Sequence, residues 1–398
     1  VTTPEPERLL SRGFVFANLT NLLFFVGTTV FYVLPVHLEH LGASRAEVGR
    51  VMGAYGIASM MAIPVLGLVI DRIERRHFII AGALLWTVVA LAFSSVTELG
   101  FRFFPLRMLQ GVSFALAFVS ANALILEVTP RAAMGRAISI FGTTTLTTHA
   151  VGPALGEWIL HAGGFRVLCY FSAIATASAC VMALFIPRTQ RSLSVGAVDS
   201  LPAPDMSFVA LCLRPEARSA LAGGLTSALA FGATLNFMPI FVHSRHLPSF
   251  SPFFTAYVVA AISVRLLAGG LGDRIGYRRV GIAALFAFSI VVAAFALIES
   301  TVTLVMFAFA FGVAHGFCYP SLNALFIKGA PDRVRGRAMA AFNLSFNMGA
   351  TLAAFSGGEI AQRWGYEAMW LTMGGLSILG TIALVLDRSD RAVRTVES

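Results

Sequence analysis

The sequence predicts an all-α polytopic membrane protein with twelve transmembrane helices in two pseudo-symmetric six-helix bundles. Three observations predict it. The 398 residues are 57% hydrophobic and 12% charged, with mean hydropathy +0.79. Soluble domains carry about 25% charged residues, so this chain has too little polar surface to face water all round. Apolar runs of roughly twenty residues, enough to cross a hydrocarbon core, recur along the chain and are separated by short arginine-bearing loops. Finally, the two halves repeat at an offset of about 201 residues.

The runs follow in order. Spans one to three cover 14–37, 48–70 and 78–96, and Arg72, Arg75 and Arg76 close the gap between the second and third. Spans four to six cover 103–126, 137–160 and 167–186, with Arg131 and Arg136 before the fifth. Residues 187–218, rich in Ser, Pro and Arg, form a linker. Spans seven to nine cover 220–242, 254–271 and 280–298, with Arg274, Arg278 and Arg279 before the ninth. Spans ten to twelve cover 302–327, 338–360 and 368–386, and Arg333, Arg335 and Arg337 precede the eleventh. The domain organisation is therefore an N-terminal segment 1–13, a bundle 14–186, the linker 187–218, a bundle 219–386 and a tail 387–398.

The basic residues set the orientation. With the N-terminus inside, 21 arginines and lysines fall at cytoplasmic ends and 6 at outer ends. Both termini are thus expected in the cytoplasm of a cell whose inner membrane holds the protein. The net charge of +9 is not a nucleic-acid patch, because it is spread through these loops. The polar N-terminal segment predicts no cleavable signal peptide. Four scattered cysteines show no metal spacing and read as small buried hydrophobes. No metal and no cofactor is expected.

The repeat is specific. Asp71-Arg72 answers to Asp273-Arg274, and Asn122-Ala123-Leu124 to Asn323-Ala324-Leu325. Gly135-Arg136-Ala137 answers to Gly336-Arg337-Ala338, and Gly156-Glu157 to Gly358-Glu359. Here the chain resembles the major facilitator superfamily over essentially its whole length, and within it the drug and sugar efflux permeases. The family's loop motif is Gly-x-x-x-Asp-Arg-x-Gly-x-Arg-Arg. Gly269, Asp273, Arg274, Gly276, Arg278 and Arg279 fit it. Gly67, Asp71, Arg72, Arg75 and Arg76 fit the first copy, where Glu74 replaces the second glycine. The resemblance implies a cytoplasmic gate. Asp71 would meet the eleventh span and Asp273 the fifth, at helix N-termini that carry partial positive charge. Arg136, Arg337 and Glu127 belong to the same charge network. The simpler reading is that these residues only fix topology.

Ionisable groups at membrane depth are costly and usually functional. Arg107 lies in the fourth span, where Arg107, Gln110 and Gly111 resemble the family's fourth-helix motif, implying cavity lining or proton coupling. Arg265 lies in the eighth, His149 in the fifth and His315 in the tenth. Two deep arginines without matching acids suggest an anionic cargo; alternatively each is bonded within the protein. Glu157 and Glu359 lie toward the outer ends of spans five and eleven. Asn18 and Asn21 share a helix face, as do Asn343 and Asn347. With Asn122, Asn236 and Asn323, these amides are either substrate ligands or interhelical glue.

The leading expectation is a secondary transporter of a small organic solute, anionic or amphipathic, working by alternating access as a monomer with protons as coupling ion. It is not an enzyme: no clustered His/Asp/Glu at helical spacing such as HExxH occurs, and no Walker motif supplies ATP. Gly152, Pro153 and Gly156 resemble part of the antiporter motif and tilt the reading toward efflux. An uptake symporter or facilitator, a metal-chelate carrier (Met369 with Met373, His315 with Cys318) and a non-transporting sensor or lipid-handling protein remain as alternatives.

Overall fold

The computed structural model describes residues 11–69, 73–130, 133–187, 212–268, 270–328, 330 and 334–387. Every described element is a helix. Helix α1 spans Arg12–Thr29 and starts where the Ser11 hydroxyl accepts the Phe14 N–H at 3.2 Å. Its path continues through a 3-10 turn, Val30–Val33, into α2, Leu34–His40. Then come α3 (Arg45–Val69), α4 (Arg75–Phe93), α5 (Phe103–Val128) and α6 (Met134–Leu184). The second half holds α7 (Pro215–Ser244), α8 (Ser251–Ala268), the short α9 (Leu271–Ile275), α10 (Tyr277–Ala294), α11 (Thr301–Lys328) and α12 (Arg335–Leu386).

Ten helical stretches are long and apolar enough to cross a membrane. Two of them lie in the 51-residue α6 and the 52-residue α12. A straight helix of that length would run to about 75 Å, more than twice a hydrocarbon core. Each is broken instead at a glycine. Gly164 has φ 75° and Gly365 has φ 89°, a region that side chains with a Cβ rarely adopt. Each long helix therefore makes two crossings, and the described residues give twelve. The two breaks fall at the same offset of about 201 that relates the sequence halves.

The chain forms two compact units. One comprises residues 1–43 and 54–191, the other residues 44–53 and 192–398. In the first, Phe14 of α1, Ile79 of α4, Leu124 of α5 and Phe141 and Ala183 of α6 share one buried cluster. Trp86 Nε1 donates to Ser172 Oγ at 3.0 Å, and Ser172 donates to the Gly27 carbonyl at 2.6 Å, which ties α4, α6 and α1 together.

In the second unit Arg245, at the end of α7, donates to the Ala296 carbonyl at 3.1 Å and to Glu367 Oε1 at 2.6 Å. The start of α3 also belongs here. The Arg45 guanidinium bonds the Ala361 carbonyl at 2.8 Å and lies 4.2 Å from the centre of the Tyr366 ring.

Candidate transport site

In the first unit the site begins with a helix crossing. A Cβ on Gly111 of α5 would fall 2.2 Å from the Tyr55 carbonyl of α3, so only glycine lets the two backbones meet. The crossing sets Tyr55 beside Phe114 at 5.8 Å between ring centres. Phe114 stacks on Phe118 at 5.1 Å, and Phe25 of α1 closes on both. One turn before the crossing glycine, Arg107 is 5% exposed. Its Nη1 donates to Gln110 Oε1 at 2.7 Å, and its guanidinium lies 4.8 Å from the centre of the Tyr55 ring. A buried guanidinium with an amide acceptor and an aromatic face is held by the protein itself. His149 packs between Phe25 and Tyr32, with Nδ1 3.1 Å from the Thr145 carbonyl.

The second unit repeats the crossing. A Cβ on Gly312 of α11 would fall 2.4 Å from the Tyr257 carbonyl of α8. The Tyr257 ring lies 5.9 Å from His315, and its hydroxyl is 3.3 Å from His315 Nδ1. Phe231 of α7 stacks on the imidazole at 4.5 Å with planes 8° apart. On the next turn of α11 the Tyr319 hydroxyl donates to Asn343 Oδ1 of α12 at 2.7 Å. Arg265 is exposed, makes no hydrogen bond or ion pair among the described residues, and lies within electrostatic reach of the Tyr257 and Tyr319 hydroxyls.

The other expected polar residues are used differently. Asn18 Oδ1 accepts from Thr144 at 3.4 Å, and Asn21 donates to Thr145 at 2.7 Å, so both amides join α1 to α6. The glycines of the Gly152-Pro153 stretch serve the same seam: a Cβ on Gly152 would collide with Thr29 and one on Gly156 with Val30. Asn122 and Asn236 donate to carbonyls of their own helices, as does Asn347 to Asn343. Asn323 Oδ1 is buried with no hydrogen-bond partner among the described residues. Glu157 is 8% exposed, whereas Glu359 lies on the surface 3.6 Å from Arg363 of its own helix. Met369 and Met373 are fully buried packing residues, and no group of three metal-ligating side chains occurs among the described residues.

Within the loop motifs, Arg75 pairs with Glu127 and donates to the Ala123 carbonyl at 3.1 Å. Arg76 donates to the Ile186 carbonyl at 3.1 Å, and Arg278 likewise reaches Leu384 at 2.7 Å and the Asp387 carbonyl. These arginines cap helix ends inside their own units. Asp273 accepts from Tyr277, while Arg136, Arg274 and Arg279 are exposed. Gly67 is in the last turn of α3 and Arg337 in the first turn of α12. Asp71, Arg72 and Gly269 lie outside the described residues.

The family model described as Major Facilitator Superfamily matches residues 16–263 and 249–397. The chain belongs to this superfamily. Among its relatives, multidrug resistance protein MdtG of Klebsiella pneumoniae (strain 342) is 24% identical over 364 residues, covering 88% of this chain and 86% of that one. Multi-drug resistance efflux pump PmrA of Streptococcus pneumoniae serotype 4 is also 24% identical, over 87% and 89%. Of solved structures, the nucleoside transporter NupG superposes with TM-score 0.78 at 17% identity, over 94% of this chain and 99% of that one. A D-xylose-proton symporter superposes with TM-score 0.76 at 14% identity, over 96% and 98%. At those identities the structures establish the superfamily fold alone.

As a superfamily member the chain is a multi-pass membrane transporter, and its members bind small molecules. Sequence reasoning missed the aromatic residues of both clusters. A usable signal existed: Tyr55 and Tyr257, Gly111 and Gly312, and Phe118 and Tyr319 all obey the repeat offset.

Proposed function

We propose that the protein is a secondary active transporter that expels a small amphipathic, aromatic organic solute across the bacterial inner membrane in exchange for protons. Both termini are cytoplasmic, and the protein acts as a monomer by alternating access. The observation that carries the reading is the pair of aromatic clusters, each with only a few polar groups among its rings. Phe231, Tyr319 and Phe346 are only partly buried, as are Tyr32, Tyr55 and Phe114. Such surfaces hold varied flat solutes through stacking rather than through a fixed hydrogen-bond code. The named roles of MdtG and PmrA support the outward direction, and the cytoplasmic excess of arginine supports the orientation.

An anionic cargo is a second reading, and it rests on Arg265. Arg107 is committed to Gln110 and Tyr55, so one of the two embedded arginines is spoken for. An anion would also leave with the membrane potential, which contributes about 2.3 kcal/mol per charge at 100 mV.

Inside-out vesicles energised with a proton gradient test the proposal. Ethidium and rhodamine 6G are expected to accumulate in the vesicles and to leak back when the gradient is collapsed. Accumulation only in right-side-out vesicles would replace efflux by uptake. Selective loss of naphthoate transport in Arg265→Ala, with dye transport intact, would establish the anionic reading.

A further inference from the structure

Proton exchange needs a group that gains and loses a proton inside the protein. Among the described carboxylates, Glu359 is paired with Arg363 of its own helix, Glu127 is paired with Arg75 at a helix end, and Glu157 is buried toward the outer end of its span. His315 is placed differently. It is 7% exposed, in the middle of α11, and held from three sides. Tyr257 of α8 reaches Nδ1, Phe231 of α7 covers one face of the ring, and Phe288 of α10 stands 6.0 Å away. The ionisable groups around it are Tyr257 and Arg265 on α8, with Cys318 and Tyr319 on its own helix. From α7, α10 and α12 come Phe231, Phe288, Asn343 and Phe346, none of which titrates.

The stack with Phe231 gives this placement a consequence. A neutral imidazole and a phenyl ring attract weakly, whereas an imidazolium over a phenyl face gains a cation–π attraction of about 0.5–2 kcal/mol. Protonation therefore holds Phe231 down on His315. A flat aromatic solute that inserts between the two rings must part them, because the 4.5 Å separation leaves no room for a third ring. Protonation also reverses the Tyr257 contact. In the tautomer with the proton on Nε2 the neutral Nδ1 accepts the phenol proton, whereas the imidazolium donates to the phenol oxygen.

Resting on the efflux reading above, we propose that His315 is the group whose proton is exchanged for cargo, and that proton and aromatic solute compete at the His315–Phe231 stack. By linkage, a bound solute expels the proton and a bound proton weakens the solute to the same degree.

The test uses the full-length protein in detergent, with ethidium as probe. In wild type, affinity is expected to fall as the solution is taken from about pH 8 to about pH 5.5, the range over which an imidazole charges. The fall should approach about tenfold per pH unit on the acid side. Binding in weak buffer should release close to one proton per dye. His315→Gln should bind ethidium with an affinity that no longer changes over this range and should release no proton. Phe231→Leu keeps the imidazole but removes the stack, so proton release should shrink while the folded protein persists. This second variant decides the matter if the first does not fold. Proton release that survives in His315→Gln, or that is lost in His149→Gln instead, overturns the assignment while efflux stands. A wild type that neither binds nor moves any amphipathic dye takes down the efflux reading and this inference together.

Discussion

The two units build one helix crossing twice and fill it with different chemistry. In the first, Gly111 lets α5 onto the Tyr55 backbone, and the ring that meets Tyr55 at 5.8 Å and 52° is Phe114. In the second, Gly312 lets α11 onto the Tyr257 backbone, and the ring at 5.9 Å and 55° is His315. The geometry is nearly the same because the backbone approach fixes it. The chemistry differs because one position carries phenyl in one copy and imidazole in the other. The charges divide in the reverse sense. Arg107 is buried and bonded beside the phenyl copy, and Ala308 occupies the equivalent place in the second. A duplicated frame thus carries a buried guanidinium beside the crossing in one unit and an imidazole at the crossing in the other.

Five substitutions, at three kinds of place, probe how far the likeness goes. The largest effect is expected at the crossings. Gly111→Leu and Gly312→Leu each force a branched side chain into a backbone carbonyl that a bare Cβ already overlaps. Overpacking of this kind costs about 3 kcal/mol or more. Both variants should lose the monodisperse peak in size-exclusion chromatography, or unfold at much lower temperature in detergent. If one is tolerated, the crossings are not equivalent.

A middle-sized effect separates the two loop motifs. Gly276 and Glu74 occupy matching positions, each just before a helix. Their ψ values are 131° and 128°, but φ is 95° at Gly276 and −55° at Glu74. The missing glycine of the first motif is therefore accommodated by an ordinary backbone conformation. Gly276→Ala should cost about 1–2 kcal/mol from left-handed strain. Glu74→Ala should change stability by less than about 0.5 kcal/mol. Equal shifts in thermal unfolding would remove the distinction.

The smallest effect is expected at Glu359→Gln. Its bridge to Arg363 spans one helical turn on the surface, and such pairs contribute about 0.5 kcal/mol or less. Unfolding temperature and the pH dependence of dye binding should both be unchanged. A lost pH dependence would move the coupling role away from His315.

Much of the fold could be read along the chain. Run length gave the twelve crossings, because hydrocarbon thickness sets a length that local composition reveals. The Glu74 departure marked the place where the loop copies turn differently. The site was far less legible. Asn18 and Asn21 looked the same as any paired amides until Thr144 and Thr145 appeared opposite them. Arg107 and Arg265 looked alike in sequence, yet one is bonded to Gln110 and the other is exposed. Aromatic residues drew no notice, since phenylalanine is common throughout so apolar a chain.

The sequence by itself determined that this chain crosses a membrane, how often, and that its halves are copies. Those properties depend on composition and spacing along the chain. Tertiary structure alone decided which polar groups are consumed in packing and which stand among aromatic rings. That depends on how each helix is rotated and where it crosses its neighbour, and one residue of rotation turns a side chain by about 100° to a different partner.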